Sequence, residues 1–150
     1  MYKIISIVFV AALMFTSCAA SRTSSSLDQG IRGKVVWVEG NQMPGPGRKT
    51  NVGAPVVREL LIYEVLKMNE LERKGSLFVE PTEKPVIIVK SDESGNFEAT
   101  LPVGVYSILT REEDGLFANS FDGDNNVMPV EVLEGEYTEV NITINYKAVY

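Results

Sequence analysis

The sequence predicts an all-β fold, a sandwich of about seven strands. Two observations predict it. Short runs alternate apolar and polar residues with period two. The clearest is near the end of the chain, where Val140, Ile142, Ile144 and Tyr146 alternate with Glu139, Asn141, Thr143 and Asn145. Clusters of Gly, Pro, Asp and Asn separate such runs at short intervals, as turns between strands require. Many short strands with frequent turns close a core by packing one sheet on another.

The elements follow in order. Residues 31–38 form a first strand with Ile31, Val35 and Trp37 on one face. Residues 40–55 contain Met43-Pro44-Gly45-Pro46-Gly47, a loop, because proline and glycine break both helix and sheet ladders. Val86-Ile87-Ile88-Val89 is a β-branched strand, and Ser91-Asp92-Glu93-Ser94-Gly95 a hairpin turn in which Gly95 supplies a positive φ. In the next strand Phe97, Ala99 and Leu101 point inward. Pro102-Val103-Gly104 turns the chain into a strand over residues 105–109. Val130-Glu131-Val132 is a short strand, and Gly135 turns it into the last one.

Residues 57–74 support two readings. Leu, Glu, Lys and Met form helices well, and Val57, Leu61, Val65 and Met68 share a helical face, which favours a helix. Leu60 and Ile62 on one side, with Leu61, Tyr63 and Val65 on the other, also suit a strand buried on both faces.

The N-terminus carries a separate signal. Met1-Tyr2-Lys3 precedes a largely apolar stretch over residues 4–15, then Thr16-Ser17-Cys18. A basic start, an apolar middle and small residues at the end make a secretory signal. Its apolar middle is well short of the ~20 residues a spanning helix needs. Cys18 is the only cysteine. The ending resembles the lipobox of bacterial lipoproteins, with Phe15 where that family usually has Leu. The resemblance implies cleavage after Ser17 and acylation of Cys18, so the membrane becomes a partner. Two or three acyl chains would hold firmly where one holds marginally. The other reading is an ordinary signal peptide with an unrelated cysteine. The expected organisation is a lipoprotein signal peptide over 1–17, a Ser-rich tether over 18–29 and one domain over 30–150. Ala19 and the absence of an acidic cluster after Cys18 point to an outer-membrane protein facing the periplasm.

Composition narrows the chemistry. Losing a leader that carries only Lys3 takes the formal charge from −6 to −7. Scattered cations on an acidic chain argue against nucleic acid, which needs clustered positive charge. The chain has no histidine, which removes the commonest general base and His-ligated zinc. With its one cysteine assigned to the anchor, neither a thiolate nucleophile nor an internal disulfide remains. No Ser-x-x-Lys, Walker or dinucleotide glycine pattern occurs. The expectation is a non-catalytic domain without cofactor.

Two segments carry a resemblance to a known domain. One is Gly30-Ile31-Arg32-Gly33-Lys34-Val35. The other runs over residues 89–106 and contains Asp92-Glu93-Ser94-Gly95-Asn96-Phe97 and Leu101-Pro102-Val103-Gly104-Val105-Tyr106. The opening strand, the Asp-x-x-Gly-x-Phe hairpin and the Leu-Pro-x-Gly-x-Tyr corner resemble the carboxypeptidase regulatory-like domain. Residues 117–123 and 142–150 resemble small Bacteroidetes lipoproteins of this type. The resemblance covers roughly residues 30–150 and implies a transthyretin-like (prealbumin-like) Greek-key β-sandwich. It favours a strand over about 58–65, followed by a loop or short helix ending near Gly75. It transfers no catalytic role. Asp92 is expected to accept backbone N–H bonds in its turn, and Tyr106 to bury its ring while its hydroxyl finds a partner. The long connections over 40–55 and 66–85 depart from plainer domains; loops of such length are often functional or disordered.

Several constellations have both a functional and a structural reading. Asp122, Asp124 and Asn126 fall at calcium-ligand spacing, but Val127 stands where an EF-hand loop needs glycine and Leu133 where it needs glutamate. A solvated turn is the favoured reading, so these residues are weak metal candidates. Phe117 and Phe121 are candidate ligand contacts or rings folded onto the sandwich. Trp37 is a stacking platform or core. Glu112-Glu113-Asp114 and Asp92-Glu93 are paired carboxylates for glycoside hydrolysis or ordinary turns. Arg48-Lys49 is a weak anion site.

The functional expectation is a lipid-anchored envelope interaction or scaffold module with a protein partner. Its contact surfaces would be the loops over 43–47 and 117–124, with Met43, Phe117 and Phe121 as candidate contacts. The alternative is a carbohydrate- or small-ligand-binding lipoprotein using Phe117, Phe121 and Tyr63.

Overall fold

A computed structural model describes residues 28–47 and 52–150. The signal peptide, Cys18, most of the tether and Arg48-Lys49 lie outside the described residues. The fold is an all-β sandwich of two sheets. Among the described residues its eleven strands are β1 (Gly30–Asn41), β2 (Ala54–Pro55), β3 (Glu59–Glu64), β4 (Arg73–Lys74), β5 (Leu77–Phe78), β6 (Ile87–Lys90), β7 (Asn96–Thr100), β8 (Gly104–Glu112), β9 (Gly115–Phe117), β10 (Pro129–Val132) and β11 (Tyr137–Val149). Seven of these are four residues or longer, and the short ones lengthen sheets that the long ones build.

The first sheet is organised around β1. One side of β1 pairs in parallel with β11, from Gly30↔Tyr137 to Trp37↔Ile144, and the register then shifts to Glu39↔Lys147. Its other side pairs antiparallel with β7 and then β2. The parallel ladder is tight at Gly33, where a Cβ would lie 1.7 Å from the Val140 carbonyl oxygen. In the second sheet β3 lies between β6 and β8. The far side of β8 takes β9 near its end and β10 near its start, and β5 and β4 extend from β9.

Alternation sets the core as expected. Ile31 and Val35 of β1, Phe97 and Ala99 of β7, and Ile142 and Ile144 of β11 are buried in one cluster with Leu60, Ile62 and Ile108 of the second sheet. Each such Ile or Leu contributes about 1.5–3 kcal/mol by leaving water.

The helix expected over residues 57–74 does not form. The segment is strand β3, a three-residue 3-10 turn (Met68–Glu70), and β4. Leu60, Leu61, Ile62 and Tyr63 are all buried, so β3 is covered on both faces. An unbroken apolar run is what such a strand requires, and burial overrides helix propensity. The connection over 66–85 supplies buried Leu66, Leu71, Leu77 and Phe78. Its backbone is tied down where the Leu66 N–H donates to Ser107 Oγ at 2.9 Å. This long connection therefore belongs to the core.

The turn at Ser91–Gly95 forms with Gly95 at φ 79°, but it is not a hairpin. β6 pairs with β3 and β7 with β1, so the turn carries the chain from one sheet to the other. At the next corner the Tyr106 hydroxyl donates to the Pro102 carbonyl at 3.0 Å over a buried ring. The domain also starts earlier than residue 30. Gln29 is buried, its amide donates to the Leu101 carbonyl at 3.3 Å, and its side-chain oxygen accepts from the Gly135 N–H at 3.1 Å.

Candidate functional site

The site begins with the β3–β8 ladder. Its register pairs Leu60 with Thr110, and one step before β3 it sets Arg58 opposite Glu112. The Arg58 Nε lies 3.2 Å from Glu112 Oε1, with the Glu112 side chain 1% exposed and that of Arg58 28% exposed. On the other face of the same ladder, Arg111 pairs with Glu59 at 3.1 Å and with Glu80 at 2.8 Å. Glu112 is further satisfied by the Thr110 hydroxyl at 3.1 Å and the Tyr146 hydroxyl at 3.2 Å. A buried carboxylate needs such a full set of donors to offset its lost hydration.

Tyr146 comes from the opposite sheet, and so do Trp37 and Lys147. Trp37 on β1 packs edge-on against Tyr146, with ring centroids 5.3 Å apart. The Arg58 guanidinium lies 5.4 Å from the Trp37 ring centre and the Lys147 ammonium 5.7 Å from it. Cations so placed are attracted by the ring quadrupole. Together these residues line a cleft of about 590 Å³ at one end of the sandwich, with Lys90 also on its wall. Burial, and then the negative charge of Glu112, push the Tyr146 phenol up to about 12. It stays protonated at neutral pH and acts as a donor to Glu112. Within the cleft Arg58 pairs with Glu112 and Arg111 with Glu59, and a half-buried tryptophan lies beside the Arg58 and Lys147 cations.

The residues singled out from the sequence are dispersed. Met43 is exposed in its loop. Phe117 is buried, and its ring lies 5.5 Å from Tyr146, so it supports the cleft from beneath and offers no contact surface, which corrects that expectation. Phe121 is 40% exposed and lies edge-on to Phe78 at 6.4 Å. Tyr63 is buried.

Asp122, Asp124 and Asn126 build a turn. Asp122 Oδ1 accepts from the Asp124 N–H at 2.9 Å and the Asn126 N–H at 2.8 Å, while Oδ2 accepts from the Asn126 amide at 2.7 Å. Asp92 makes the same three bonds, to Ser94 at 2.9 Å and to Asn96 at 2.8 and 3.3 Å. The Asn126 N–H is the main cause that holds the Asp122 carboxyl below its usual value, and the Asn96 N–H does the same for Asp92. Among the described residues no group of three acidic side chains gathers as a metal site.

Sequence reasoning missed Arg58, Glu112, Tyr146 and Lys147 as a group. They sit on separate strands far apart in the chain, so no local motif joins them. One signal was present. Glu112 continues the Tyr106, Ile108, Thr110 face of β8, and a carboxylate in an inward register position implies a buried cation partner.

Comparison of the chain with family models, with curated proteins and with solved structures found no match in any of the three.

Proposed function

We propose that this protein is a lipid-anchored cell-envelope binding module, a carboxypeptidase regulatory-like domain of transthyretin-like type held to the membrane by acylated Cys18. The leader and the lone cysteine after Thr16-Ser17 support the anchor. The observation that carries the binding role is the Trp37 cluster. Trp, Tyr and Arg are the residues that dominate binding at protein interfaces, chiefly because they offer large contact area with few rotamers to freeze. Here Trp37 and Tyr146 are braced by Phe117 below and by the Arg58–Glu112 pair beside them. Such preorganisation lowers the entropy cost of binding. With Lys90 and Lys147 on the cleft wall, the preferred partner is a protein segment with an acidic rim.

The test is in-cell photocrosslinking from position 147, with Trp37→Ala and Cys18→Ala strains beside the wild type. A defined protein partner, lost in Trp37→Ala while the domain stays folded and weakened in Cys18→Ala, is the expected result. No crosslinked protein from a correctly acylated chain, or the same product from Trp37→Ala, would overturn the reading.

A further inference from the structure

β11 ends the first sheet: among the described residues it pairs with β1 alone. The Gly30 N–H donates to the Glu136 carbonyl, and the parallel register sets Gly30 beside Tyr137. In a parallel ladder, alternate residues of a strand turn both backbone groups toward the same neighbour. Hence Thr138, Val140 and Ile142 bond to β1, while the N–H and C=O groups of Tyr137, Glu139, Asn141 and Thr143 point away from it. Asn119 agrees with this: its side-chain amide donates to the Thr143 carbonyl at 3.0 Å. That amide stands where the N–H of a further strand would stand. Among the described residues no side chain caps Glu139 or Asn141 in the same way.

The open edge borders a groove of about 660 Å³ between β11 and β10, an edge strand of the second sheet. The Thr138 hydroxyl donates to the Glu131 carbonyl at 2.6 Å and ties the two strands together. On the groove walls Val140 is half-buried and Leu133 is 44% exposed, so apolar surface is left uncovered. The charges on the walls have one sign: Glu131, Glu136 and Glu139, with no lysine or arginine. Arg32 holds Glu139 at 2.9 Å, whereas Glu131 and Glu136 have no ion-pair partner among the described residues.

We propose that this groove takes a basic, extended segment of a partner protein as an added strand on β11. Main-chain bonds to Glu139 and Asn141 would supply the affinity. Aliphatic side chains would cover Val140 and Leu133, and lysine or arginine would meet Glu131 and Glu136. The charge selects the occupant. A second copy would bring its own Glu136 and Glu139 to the same edge, and like charges facing across paired strands repel. The open stretch from Tyr137 to Asn141 runs about 13 Å at ~3.3 Å per residue, which suits a segment of about five residues. The groove is distinct from the Trp37 cleft, and its occupant is independent of the function proposed there.

The test follows backbone amide exchange in the full chain by NMR, with the end-capped peptide Lys-Val-Lys-Val-Lys as probe. Without peptide, the Glu139 and Asn141 amides should exchange fast and those of Val140 and Ile142 slowly. Saturating peptide should slow Glu139 and Asn141 by about tenfold or more and leave Val140 and Ile142 as they were. Added salt should weaken binding, and Glu-Val-Glu-Val-Glu should not bind. Two N-methylated probes separate strand addition from charge attraction, one methylated on its lysines and the other on its valines. Only one of these sets faces β11 in an added strand, so one probe should bind like the parent and the other about tenfold more weakly or worse. Asn141→Pro should abolish binding while the ladder to β1 stands, because the N–H it removes points away from β1. The methylated pair decides the matter even if Asn141→Pro fails to fold. No saturable binding at millimolar peptide, equal binding of the two methylated probes, or protection confined to other amides would overturn the proposal. So would slow exchange at Glu139 and Asn141 in the free chain that speeds up on dilution, the mark of a second copy on this edge.

Discussion

Arg58 lies directly across the β3–β8 ladder from Glu112, one step before the first residue of β3, and the two side chains meet on the face that looks toward Tyr146. They are unequal in their access to water. Glu112 is sealed in, whereas the Arg58 side chain keeps 28% of its surface exposed. Removing the arginine therefore strands a charge that cannot reach solvent, while removing the glutamate leaves a cation that can.

Arg58→Met should cost about 3–5 kcal/mol, the usual penalty for an uncompensated buried charge. Glu112→Leu should cost clearly less. The double variant should recover much of the loss of Arg58→Met, because an apolar pair needs no donors. Urea denaturation of the three proteins tests this, and strict additivity would refute it.

Tyr146 links the same cluster to alkaline pH. Its phenol is raised to about 12 in the fold, first by burial and then by Glu112, against 10.0 for a free tyrosine. The folded state therefore keeps its proton where the unfolded chain loses it. This contribution is whole below pH 10 and falls away as pH rises toward 12. A spectrophotometric titration should lose its latest-ionising phenol in Tyr146→Phe, and the stability of that variant should decline less steeply over this range.

The two Asp turns give a contrast in tolerance. Gly95 and Asn125 occupy the same place in turns with the same hydrogen bonds, at φ 79° and 61°. A Cβ at Gly95 would lie 2.3 Å from the Val35 carbonyl oxygen. Gly95→Asn should destabilise by about 1–3 kcal/mol through backbone strain and displacement of β1. Asn125→Gly should be near neutral by thermal melting. Equal effects would mean the clash at Gly95 is relieved at no cost.

Tyr106→Phe tests the corner. It deletes the bond to the Pro102 carbonyl and leaves the ring in place. The expected loss is about 0.5–1.5 kcal/mol, read as a lower urea midpoint with an unchanged slope.

Much of this was legible because it depends on near neighbours. The inward set Phe97, Ala99 and Leu101, the Asp92 cap and the Tyr106 corner each follow from spacings of a few residues. What was not legible depends on long-range partners. Nothing local in Ser91–Gly95 says that the strands beside it join different sheets. The run Leu60 to Tyr63 has no period, so its chemistry cannot distinguish a doubly covered strand from a helix until the residues that cover it are known. Phe117 read as a loop contact because acidic and turn residues lie on either side of the short Leu116-Phe117-Ala118 run; its true neighbour, Tyr146, is on a strand that follows much later.

The course of β1 sets a mechanical axis. Gly30 opens the strand next to the tether, and Trp37 lies seven residues on, about 23 Å along it at ~3.3 Å per residue. A chain fixed to a membrane by the proposed anchor would thus present the Trp37 cleft at the end of the domain away from the bilayer. Any pull between a bound partner and the membrane would run lengthwise along β1. The rungs that join β1 to β11 and β7 would then be sheared as a group, and none could be peeled off singly.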